Sequence, residues 1–148
     1  MDIKAPSNAL FPNDKIFVSD LFDAHQDWEV PIPGFFIIAA QRDIHSLADF
    51  TVAEQQEFFW LLRAIRAGMR EVLGIEKVLL VENEASQWQF HMWLFPWHAW
   101  MQQWGSKTWS AQLAIEYAIQ HMQTEENFSA IHDAVQQMKS YIRSYAPR

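Results

Sequence analysis

Gln89, His91 and Trp93 are the residues whose types and spacing suit them to chemistry. They alternate in the run Gln87-Trp-Gln-Phe-His-Met-Trp-Leu-Phe-Pro-Trp97. In an extended strand, Trp88, Phe90, Met92 and Leu94 share one face, and Gln89, His91, Trp93 and Phe95 share the other. The first set is wholly apolar and reads as core. The second sets one imidazole between an amide and an indole. Pro96 ends the ladder. An imidazole on a rigid strand can act as a general base, or it can attack phosphorus to give a covalent nucleotidyl intermediate. It can equally be a packed, hydrogen-bonded histidine with no chemistry. Attack needs a neutral ring whose other nitrogen is oriented by an acceptor, a role open to a backbone carbonyl. Gln89 can orient a phosphate oxygen. The Trp93 indole is a donor only, so it can bind an oxygen but cannot pass a proton.

The surrounding pattern supplies the elements that must hold this strand. Short strands are expected at 16–18 and 21–24, then a turn at 27–34 rich in proline and glycine. Residues 35–40 are continuously apolar and read as a strand buried on both faces. Thr51-Val-Ala-Glu54 is a capping box, and the helix it opens should run to about residue 73. Phe58, Leu62, Ile65, Met69 and Val72 form its apolar stripe. Gly74 is its stop. A strand at 77–82, a turn at 83–87 and the strand at 88–95 make a hairpin. Helices follow at 110–122 and 127–141, the second with Phe128, Ile131, Val135, Met138 and Ile142 on one face. The order predicts an α+β fold, an antiparallel sheet with one long helix plus carboxy-terminal helices. It also predicts a single domain over 1–148, with 97–148 as a helical carboxy-terminal extension.

Composition narrows the function. The 148 residues are enough for one domain with a substantial core. There is no cysteine, which removes disulfides, thiolate metal sites and cysteine nucleophiles. The formal charge of -7 argues against a nucleic-acid partner. No apolar run is long enough to span a membrane, and no signal-peptide pattern is present, so a cytoplasmic location is expected. The eight tryptophans and eleven phenylalanines exceed what a core needs and point to a pocket or an interface. Asp23, Glu29 and Asp43 read as isolated loop acids. Arg42 and Arg70 are candidate phosphate donors, Arg70 more simply a surface residue. No metal-ligand spacing links the six histidines.

The segment 16–96 resembles the histidine triad superfamily. The resemblance rests on Pro31-Ile-Pro-Gly34, the strand at 35–40, Arg42, Leu47-Ala-Asp-Phe-Thr51 and Gln89-Phe-His-Met-Trp-Leu-Phe-Pro96. Counting back from Pro96, His91 falls on the middle histidine, the family's nucleophile. Gln89 and Trp93 fall on the outer two. The Gly-Gln that usually precedes the triad and the arginine that often follows the proline are both missing. The resemblance implies a nucleotide phosphohydrolase or nucleotidyl transferase. It would act on dinucleoside polyphosphates, such as diadenosine polyphosphates, or on nucleoside phosphoramidates, through a nucleotidyl-histidine intermediate at His91. Ser86 and Asn83 would contact the ligand, Arg42 would steer charge, and Leu21, Phe22 and Ile37 would stack on the base. No cofactor or protein-bound metal is implied, though substrate can arrive with magnesium. A homodimer is implied as well. The alternative is a catalytically weak or inactive nucleotide- or small-molecule-binding protein of the same fold, favoured by the replaced histidines and the many tryptophans.

Overall fold

The computed structural model describes residues 3–145. Five strands form one antiparallel sheet in the order β1-β2-β3-β5-β4. They are β1 (Lys15–Val18), β2 (Phe22–Gln26), β3 (Phe36–Ala40), β4 (Val78–Glu82) and β5 (His91–Pro96). Helix α1 (Val52–Glu71) carries the chain from β3 to the far edge, and β5 returns into the gap between them. Helices α2 (Ser110–His121) and α3 (Glu125–Arg143) follow. The expected α+β architecture is therefore what the chain adopts.

The capping box forms in full. Thr51 Oγ accepts from the Glu54 N–H at 3.1 Å, and the Glu54 carboxylate accepts from the Thr51 N–H at 2.7 Å. The buried stripe of α1 is Leu61, Ala64, Ile65, Gly68 and Met69, rotated from the expected one, with Val72 38% exposed. Tertiary contact explains the rotation. At Gly68 an added Cβ would lie 2.8 Å from the Tyr141 ring and 2.9 Å from Met138, so α3 takes the side of α1 where side chains are smallest. The α3 stripe Ile131, Val135, Met138 and Ile142 is buried as expected.

The sheet is covered on both faces. On one face Phe36, Ile38, Phe90 and Leu94 meet α1 and α3. On the other, Phe35, Ile37 and Phe95 meet α2 and the 3-10 turn Ala99–Trp104. Each fully buried Leu, Ile or Phe here contributes about 1.5–3 kcal/mol. Trp93, Trp97, Trp100 and Trp104 pack against this second core, so most of the aromatic surplus is interior packing. Trp88 and Trp109 remain 67% and 65% exposed. Gly34 closes the loop before β3 at φ 82°, the left-handed region where a side chain is strained, and an added Cβ would lie 2.6 Å from Ile75. Among the described residues no helix is long and apolar enough to cross a membrane.

Candidate active site

His91 is the first residue of β5 and is half-buried. Its Nδ1 lies 3.0 Å from the backbone carbonyl of Gln89. A carbonyl only accepts, so Nδ1 carries the hydrogen and Nε2 of the neutral ring keeps its lone pair. The orienting acceptor is thus main chain, two residues upstream, and no carboxylate is needed.

The strand is shorter than its alternation implies. Residues 84–90 are turns and bends, not ladder. Trp88 is solvent-facing, which corrects its placement in the core. Phe90 is 1% exposed and packs edge-on to Phe50, with centroids 4.9 Å apart. Its N–H donates to the Ile44 carbonyl at 2.6 Å, and its carbonyl accepts from the Ala40 N–H at 3.0 Å. The Glu84 carboxylate accepts from Ser46 Oγ at 3.0 Å and the Leu47 N–H at 3.1 Å. These bonds moor the loop ahead of His91 to the segment after β3. The polar loop residues serve the same turn. Asn83 Oδ1 accepts from the Ala85 N–H at 3.0 Å, and Ser86 Oγ accepts from the Trp88 N–H at 3.1 Å. The Gln89 amide donates to the Ala40 carbonyl.

Strand register sets the neighbours of His91. Residues directly opposite one another project from the same face. One row runs Val18, Asp23, Ala39, His91, and the next runs His25, Ile37, Trp93, Val81. Ala39 is the smallest member of its row. Asp23 and Ala39 in this row are buried, and the strands of Asp23 and His91 are about 10 Å apart across β3. Ile37, in the next row, is buried in the second core. Trp93 stands beside His91 on this face and packs edge-on to Phe35 at 5.2 Å.

Four sequence expectations change. Phe22 pairs with Ala40, one step out of phase with His91, and is wholly buried in the core under α1. It cannot stack on a ligand held at His91. Leu21 packs against that same core. Arg42 is bound to Glu54 (2.8 Å) and to the Asp49 carbonyl (2.8 Å), so its guanidinium braces the start of α1. Asp23 is not a loop acid. It is fully buried in β2, bound to Lys15 Nζ at 2.6 Å and to His25 Nδ1 at 2.7 Å, and His25 stacks on Trp28 at 4.4 Å. This polar cluster shares the face of His91. Its signal was readable, since Asp23 and His25 are two apart in an otherwise apolar stretch. Glu82 ends β4, as the strand expected at 77–82 has it. Burial, and then the charge of Glu84, hold its carboxyl above the usual range, while His91 opposes the shift. His98 is fixed elsewhere, 2.6 Å from the Pro33 carbonyl, and burial lowers its pKa. Among the described residues no group of three or more His, Asp or Glu is arranged to hold a metal ion.

Neither a family model nor a curated protein matches the chain. Solved structures do. A histidine triad protein from Marinobacter aquaeolei superposes with a TM-score of 0.64 at 18% identity, over 86% of this chain and 89% of that one. A Hit-like protein from Bartonella henselae gives 0.59 at 9% identity, over 92% and 98%. A zinc-bound histidine triad protein from Mycobacterium smegmatis gives 0.56 at 16% identity, over 87% and 88%. This chain has the histidine-triad-like fold. The likeness spans nearly the whole chain, so the superposed region includes helices beyond residue 96, the limit of the sequence resemblance. Within this histidine-triad-like fold, His91 opens β5, an interior strand of the sheet.

Proposed function

We propose that the protein is a nucleotide phosphohydrolase or nucleotidyl transferase working through a nucleotidyl-His91 intermediate. The observation that carries this reading is the bond between His91 Nδ1 and the Gln89 carbonyl. It presents Nε2 as the free lone pair and accepts the positive charge that grows on the ring during attack. Nε2 attacks the α-phosphorus. A P–N bond forms, and the bond to the leaving group breaks with its electron pair going to that group. Water then attacks the same phosphorus, the P–N bond breaks, and His91 returns as neutral imidazole. Ile37 and Trp93 flank the base or ribose, and the loop carrying Asn83 and Ser86 borders the phosphates. Substrates are dinucleoside polyphosphates or nucleoside phosphoramidates. No cofactor enters, and magnesium arrives with the substrate. The reading includes a homodimer and a cytoplasmic location, and the acidic balance supports a small-molecule rather than a nucleic-acid partner.

One observation favours the weak-binder alternative. Gln89 and Arg42 are both committed to intramolecular bonds, which leaves few side-chain donors for phosphate. A single experiment separates the two. Wild type and His91→Ala are incubated with diadenosine tri- and tetraphosphate and adenosine phosphoramidate, products are resolved by chromatography, and quenched protein is weighed by mass spectrometry. The proposal expects turnover and one nucleotidyl group on His91 in wild type, and neither in the variant. Binding of substrate by wild type without adduct or turnover establishes the alternative.

A further inference from the structure

A groove of about 900 Å3 lies along the open edge of the sheet, away from His91. It follows the whole of β1 and is closed by Trp60 of α1 and the last turns of α3. Its cationic members are Lys15, Lys139 and Arg143, and no described residue lining it is acidic. In a chain of net charge -7 that local asymmetry needs a reason. Lys15 is neutralised by Asp23. Lys139 and Arg143 stand one turn apart on α3, and among the described residues neither has an ion-pair or hydrogen-bond partner. The helix dipole accounts for Arg143, which lies in the last turn of α3, though not for Lys139 one turn earlier. It does not account for the wall opposite. There Trp60 stands 5.8 Å from Phe17 and 5.9 Å from Tyr145, so three rings form one continuous surface.

We propose that this groove binds a small aromatic anion, its phosphate or carboxylate between Lys139 and Arg143 and its ring against the Trp60 wall. The groove's size falls in the range of about 300–1,000 Å3 typical of small-molecule sites. The two cations supply charge-assisted hydrogen bonds, and the rings supply apolar area with defined stacking geometry. The site is independent of the chemistry at His91.

The test follows the Trp60 indole N–H by nuclear magnetic resonance, assigned with Trp60→Phe, during titration with phenyl phosphate, benzoate and phenol. The expected result is a saturable shift with an anion and none with phenol. Lys139→Gln/Arg143→Gln weakens the affinity about tenfold or more, each single substitution less, and His91→Ala leaves it unchanged. Phenyl phosphate binding alone identifies a phosphate site, and binding of benzoate as well identifies a general anion site. The rest of the spectrum reports whether each variant is folded. No shift with either anion overturns the proposal. So does equal binding of phenol, or an affinity that the single and double substitutions leave untouched.

Discussion

Trp93 stands two residues beyond His91 on the same face and cannot titrate. That limits which bonds the proposed site can break. A nucleoside polyphosphate leaves as an anion, because the second ionisation of a terminal phosphate lies near pH 6. An amine leaving from a phosphoramidate must be protonated as its P–N bond breaks. The expected outcome is faster turnover of dinucleoside polyphosphates than of phosphoramidates by wild type. Trp93→His should raise phosphoramidate turnover about a hundredfold, the low end of general acid catalysis. Trp93→Phe, which keeps a ring against Phe35, should not. Product chromatography with each substrate decides it, and equal rates for all three proteins would remove leaving-group protonation from the account. His91, Gln89 and Trp93 were legible as a group because alternation along a strand needs no tertiary information. The Gln89 carbonyl partner was legible only as a class of acceptor, since its direction depends on the bend at 89–90. Arg42 was misjudged for a related reason. A cation after a buried strand has the same sequence signature whether it faces a phosphate or a carboxylate twelve residues on.

Glu54 shows how one element is anchored to another. It caps α1, yet it is 1% exposed and also receives Arg42 from the end of β3. The hydrogen bond from Arg42 holds its carboxyl below the usual range, against the opposing effect of burial. A depressed folded value means that this contribution is present above the ordinary carboxylate value of about 4.3 and is lost as pH falls through the folded value. Half of the Arg42 side chain is exposed, so solvent screens the pair and its contribution is small. Between pH 7 and pH 3, wild type should lose more stability than Glu54→Gln, which keeps the cap acceptor without the charge. Urea unfolding at the two pH values measures the difference, and parallel losses would show that the pair carries no acid sensitivity. At this scale the sequence was read well. The capping box, Gly74 and the apolar runs placed every helix and strand within a few residues, because local chemistry sets those ends. It did not place the rotation of the α1 stripe. That depends on α3 meeting Gly68, a contact between residues some seventy positions apart.

The whole molecule leaves the β4 edge of the sheet unpaired. Helix α3 packs on the Gly68 side of α1 and on β1. Phe59 is 61% exposed and Leu80 on β4 is 46% exposed. Arg66 gives one guanidinium nitrogen to the Glu76 carbonyl at 3.2 Å, while its Nη1 is buried without a partner. A buried unsatisfied donor on a cation costs about 1–3 kcal/mol or more. An unpaired strand edge beside apolar side chains is a template for another strand. The homodimer of the proposed function would pair β4 with β4 across a two-fold axis. Leu80→Arg places a charge at the centre of that contact while changing a side chain already half in water. Sedimentation velocity should show wild type at twice the mass of the 148-residue chain and Leu80→Arg as monomer, with little change in helical circular dichroism. A wild-type protein that sediments as monomer would mean that this face is exposed in solution and that the proposed site belongs to a single chain.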